Sequence, residues 1–69
     1  MNNSFVIFAG GTGGHVLPAV AFGNYLLKLN KKCTIITDHR GKKFIKDYNG
    51  SIKIINASHL SGSFFFKIL

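Results

Sequence analysis

The 69-residue chain carries nine Lys/Arg against two Asp/Glu, a formal net charge of +7, and a single cysteine, Cys33. One cysteine excludes an intrachain disulfide scaffold and fits a reducing compartment, while the positive balance favours an anionic partner: nucleic acid, acidic lipid or a phosphorylated ligand. The length is small for a self-sufficient α/β domain, so a piece of a larger protein is expected.

Met1-Asn2-Asn3-Ser4 is uncharged and the following apolar run is cut short by Gly10 and Gly11, so the start does not read as a secretory signal and the chain is expected to stay in the cytoplasm. Ser4 to Ala9, SFVIFA, is a β-branched and aromatic run that predicts a strand buried on both faces. After the glycines, Val16, Ala19, Val20, Gly23, Leu26 and Leu27 recur at helical spacing and predict one apolar helix face lying on a sheet. Pro18 belongs in the first turn, where a missing N–H costs nothing, which places the helix start at about Gly14 to Val16. CTIIT, Cys33 to Thr37, predicts a second strand, with Cys33 as a small apolar residue opening it. KKFIKDY, Lys42 to Tyr48, predicts a short helix, and SIKII, Ser51 to Ile55, a third strand after the turn Asn49-Gly50. Asn56 to Ser63 reads as a loop at the sheet edge, and FFFKIL as the opening of another helix. Strand, helix, strand, helix, strand is the rhythm of an α/β fold with a parallel, Rossmann-like sheet.

The loop between the first strand and the first helix carries the chemistry. In a parallel sheet, ligands sit beyond the carboxyl ends of the strands, and a helix N-terminus presents unpaired N–H groups and a partial positive charge there. Gly10, Gly11, Gly13 and Gly14, flanking Thr12, let the backbone approach closely and suit a phosphate or diphosphate; a tight turn without a ligand is the plainer alternative. A Walker loop would need Lys after Gly14, where His15 stands, and no register gives G-x-G-x-x-G. His15 stands beside the anion position, where the helix dipole favours a neutral ring able to accept a proton, so it reads either as a general base or as a plain hydrogen-bonding side chain. Asp38, at the end of the second strand, could meet a ribose or cap the turn into Arg40-Gly41. His39 and His59 have no partner at metal-ligand spacing, so no metal site is expected.

The stretch AGGTGGHVLPAVA, Ala9 to Ala21, closely resembles the first glycine-rich loop of the family 28 glycosyltransferases of peptidoglycan biosynthesis. Later segments, including SHLSGS and FFFKIL, are similar in spacing to the family's amino-terminal domain, so the resemblance covers residues 1–69. It implies the opening part of the N-terminal, acceptor-binding domain of a GT-B enzyme, with the C-terminal donor-binding domain absent and the fragment alone inactive. The reaction implied is an inverting transfer of N-acetylglucosamine from UDP-N-acetylglucosamine to undecaprenyl-diphosphate-linked muramyl pentapeptide, with no cofactor. By position, Gly10, Gly11, Thr12, Gly13 and Gly14 would face the acceptor's diphosphate and His15 would be the base or orienting group for the muramyl hydroxyl. The resemblance also implies a peripheral enzyme at the cytoplasmic face of the bacterial inner membrane. Phe64, Phe65, Phe66, Lys67, Ile68 and Leu69 are candidates to touch an anionic headgroup region, or alternatively belong to a core. Two other function classes stand beside this: a nucleotide-binding α/β enzyme using Asp38, and a small basic nucleic-acid-binding module. The latter is disfavoured, and no nucleic-acid partner is expected, because most aromatics fall in apolar runs.

Overall fold

A computed structural model describes residues 4–11 and 13–56, together with the backbone of residues 64–68. Six elements follow in chain order: β1 (Ser4–Ala9), α1 (Gly13–Lys28), β2 (Lys32–Thr37), α2 (His39–Lys42), β3 (Ser51–Ile54) and β4 (Phe64–Ile68). They build a four-stranded sheet in the order β3-β2-β1-β4. β1, β2 and β3 run parallel, with Ile7 opposite Ile35 and Ile35 opposite Ile52, whereas β4 lies antiparallel to β1, with Phe66 opposite Ile7.

The α/β class and the parallel pairing of the first three strands agree with the reading from sequence. The helix expected at FFFKIL is instead strand β4. Phe and Ile suit a pleated ladder, and β4 takes up the free edge of β1, which would otherwise leave a row of backbone donors and acceptors unpaired. The second helix is also displaced. It occupies His39–Lys42 rather than Lys42 to Tyr48, because Asp38 caps it by accepting the Gly41 N–H. Asp47 then takes φ of 58°, a left-handed conformation no α-helix can absorb. The strand bounds move by one residue, β2 starting at Lys32 and β3 closing at Ile54, although Ile55 N–H still donates to the Thr37 carbonyl at 2.8 Å.

The hydrophobic core lies between the sheet and α1. Ile7 and Ala9 of β1, Cys33 and Ile35 of β2, and Val16 and Ala19 of α1 are all buried, the period of two in the strands meeting the helical spacing in α1. Ile7, Ile35 and Val16 are fully enclosed, each contributing about 1.5–3 kcal/mol by its removal from water. β1 carries buried residues on both faces, Ile7 and Ala9 on one and Val6 on the other, while Phe8, Thr34 and Ile36, which alternate with the core residues, are half-buried. α1 begins at Gly13, earlier than expected, so Pro18 is its sixth residue and lies in the second turn. Gly14 and Pro18 are both exposed, which lets water serve the Gly14 carbonyl that a proline cannot satisfy. The chain enters β3 through Gly50, where any Cβ would meet the Cys33 carbonyl at 2.7 Å and the Tyr48 ring.

Candidate functional site

The glycine loop leaves the carboxyl end of β1 and feeds directly into the first turn of α1. Gly10 and Gly11 are buried, Gly13 is half-buried, Gly14 is exposed, and His15, the third helical residue, is half-buried. Thr12 lies outside the described residues. The first-turn N–H groups of α1 have no carbonyl within the helix to bond, and they open at the sheet end where a parallel fold receives ligands.

The loop is held from behind by the turn between β2 and α2. Thr37, fully buried, donates its Oγ1 hydrogen to the Ala9 carbonyl at 2.5 Å. Asp38, 1% exposed, accepts the Gly41 N–H at 2.8 Å and an Arg40 Nη2–H at 3.0 Å, and also takes a backbone hydrogen bond from Gly11. Burial alone would raise this carboxyl; the bonds from Gly41 and Arg40, the Arg40 charge and the Gly11 bond overcome it and hold it below the ordinary carboxylate range. Of the two roles open to Asp38, the structure therefore shows the cap, with both carboxylate oxygens engaged inside the protein.

Two further side chains lie against the loop. A Cβ on Gly11 would stand 2.5 Å from Arg40 Cζ and Nε, so the guanidinium crosses the position where any other residue would carry a side chain. A Cβ on Gly13 would meet the Phe44 ring at 3.1 Å. Sequence reasoning missed Thr37, Arg40 and Phe44 as loop neighbours. The available signal was the position of Thr37 and Asp38 at the end of a strand adjacent to β1, since parallel neighbours end on the same side of a sheet.

Other expected features lie elsewhere. Burial pushes the Cys33 thiol up, against a smaller opposing effect of Tyr48, in keeping with a structural role. A hollow lined by Asn24, Leu27, Lys28, Asp47 and Asn49 sits along the second half of α1, away from the loop at its start. Among the described residues no His, Cys, Asp and Glu side chains cluster in the manner of a metal site, and no helix is long and apolar enough to cross a membrane. His59 and Leu69 lie outside the described residues, as do residues 57–63, expected as a loop, and the side chains of Phe64, Phe65, Phe66, Lys67 and Ile68 on which the membrane expectation rests.

Comparison with known proteins converges on this architecture. The Glycosyltransferase family 28 N-terminal domain matches residues 5–69. A UDP-N-acetylglucosamine--N-acetylmuramyl-(pentapeptide) pyrophosphoryl-undecaprenol N-acetylglucosamine transferase from Rickettsia prowazekii (strain Madrid E) is 45% identical over 62 residues, which is 88% of this chain and 16% of that protein. Proteins of the same name from Rickettsia massiliae (strain Mtu5) and Rickettsia felis (strain ATCC VR-1525 / URRWXCal2) are 51% identical over 41 residues and 47% identical over 47 residues. These alignments cover 59% and 68% of this chain, and 11% and 13% of the relatives. The chain thus spans less than a fifth of the length of the relatives it matches. No solved structure matches it.

Proposed function

The chain belongs to glycosyltransferase family 28 by its N-terminal domain, and from this we propose that it supplies part of the acceptor-binding half of an inverting N-acetylglucosaminyltransferase. The donor would be UDP-N-acetylglucosamine, taken by a C-terminal domain of the complete enzyme, and the acceptor an undecaprenyl-diphosphate-linked muramyl pentapeptide. The observation that carries the reading is the first turn of α1, whose N–H groups have no carbonyl within the helix to bond, opening from the glycine loop at the carboxyl end of a parallel strand, with the Gly11 N–H itself taken by Asp38. A diphosphate is the chemical group that such an array of N–H donors suits best.

In the proposed reaction Gly10, Gly11, Thr12, Gly13 and Gly14 hold the acceptor's diphosphate, and His15 accepts the proton of the muramyl 4-hydroxyl. The hydroxyl oxygen forms its bond to C1 of N-acetylglucosamine as the bond from C1 to the UDP oxygen breaks, which inverts that centre. UDP leaves with the electron pair. The place of work is the cytoplasmic face of the inner membrane, where the acceptor's lipid is anchored.

The test is a chimera in which this chain replaces the matching segment of the Rickettsia prowazekii relative, assayed for transfer of labelled N-acetylglucosamine to a lipid-linked acceptor. The chimera is expected to transfer sugar. His15→Ala in it is expected to lower kcat by about 10²–10⁴-fold, the usual weight of a positioned base. Unchanged turnover in His15→Ala would remove the base role, and an inactive chimera that folds and binds donor would count against the acceptor-domain reading itself.

A further inference from the structure

From Ala9 to Val16 the chain has no Lys or Arg, so the loop itself offers an anion only peptide dipoles. A guanidinium reaches it from another element. Arg40, in α2, lies across Gly11 so closely that a Cβ there would fall 2.5 Å from its Cζ and Nε. Asp38 clamps one edge of that guanidinium, with Nη2 at 3.0 Å from Oδ2, while the Arg40 side chain remains 59% exposed. Among the described residues Asp38 takes one of the five N–H donors on the group, which leaves part of a planar, largely exposed fork beside the loop.

We propose that Arg40 is a direct ligand of the diphosphate held by the glycine loop, with Asp38 as its positioning residue and Gly11 as the residue whose missing side chain admits it. The inference rests on the reading of the loop as a diphosphate cradle and adds a charged donor to it, the Asp38 carboxylate offsetting part of the Arg40 charge while it holds the guanidinium in place. Arginine suits the task because its fork can bond two phosphate oxygens at once, whereas a lysine is a point charge. The Asp38 contact restricts the side chain in advance, so less freedom is lost when the anion arrives.

The experiment is a titration of the 69-residue chain with inorganic pyrophosphate at constant ionic strength, read by the unfolding midpoint and the far-UV helical signal. A ligand that binds the folded state alone raises both, even where the folded population is partial. The wild-type chain is expected to bind. Arg40→Gln should weaken binding about tenfold or more, and Arg40→Lys should fall between the two. Gly11→Ala should weaken binding similarly, and the double variant Gly11→Ala/Arg40→Gln should lose little beyond either single one, as expected if Gly11 acts by admitting Arg40. Far-UV spectra without pyrophosphate separate loss of binding from loss of fold. Wild-type-like affinity in Arg40→Gln would overturn the role of Arg40 and leave the loop reading intact. Absence of binding by the wild-type chain would overturn both. UDP, which carries the same diphosphate on a nucleoside, is expected to bind no tighter than pyrophosphate; a large gain would overturn assignment to the acceptor.

Discussion

Asp38 is nearly inaccessible to solvent and still favours its charged form, because donors on Gly41, Arg40 and Gly11 surround it. The folded carboxyl therefore titrates below the ordinary value of about 3.9 that it regains on unfolding. The stability this contributes is present in full above that ordinary value and disappears as the pH falls through the lowered folded one. With two acidic side chains in the chain, Asp38 and Asp47, the acid limb can be assigned. Asp38→Asn should flatten the fall in urea midpoint below about pH 4 and lower stability at neutral pH by about 1–2 kcal/mol, through the weakened cap and charge pair. An acid limb identical in the two chains would place that titration elsewhere. At this scale the sequence offered two roles for one residue. The choice depended on where the Gly41 and Gly11 N–H groups came to rest, which the local pattern did not encode.

Helix α1 illustrates how an element can defy its own propensity. Gly23 lies buried in its interior, where alanine would ordinarily gain about 1 kcal/mol. A Cβ at this position would, however, meet Tyr48 Cε1 at 2.8 Å. The Tyr48 hydroxyl donates to the Cys33 carbonyl at 2.5 Å, so the ring is pinned and cannot withdraw without losing that bond. Gly23→Ala is expected to destabilise the chain by about 1–2 kcal/mol, the overpacking term exceeding the helical gain. A thermal melt showing a raised midpoint would contradict this packing. The helical spacing from Val16 to Leu26 was legible because it is periodic within the element. The two misplaced helices had no such support: KKFIKDY is interrupted by the left-handed Asp47, and FFFKIL is too short to distinguish a helix from a strand by period.

For the whole molecule the relevant quantity is a net charge of +7 on 69 residues, combined with apolar groups at the loop end of the sheet. Leu17 and Phe44 are 57% and 40% exposed there, and Arg40, Lys42 and Lys43 share the neighbouring turn. Such a surface should bind vesicles containing anionic lipid, weaken as salt is raised, and bind neutral vesicles poorly. Sedimentation with vesicles should detect this, and Phe64→Ser with Phe65→Ser should reduce it severalfold if the membrane reading of that segment holds; equal binding by the double variant would assign those residues elsewhere. The sequence by itself determined the α/β class, the first strand and helix, the glycine loop and the family, because each is written in near neighbours: a two- or 3.6-residue period, or a contiguous motif. The tertiary structure decided that β4 runs antiparallel on the edge of β1, that Thr37 and Asp38 brace the loop, and that Arg40 fills the space Gly11 leaves. Those contacts join residues far apart along the chain, and whether they meet depends on how the sheet aligns its strand ends and on backbone angles in the turns, which no local pattern specifies.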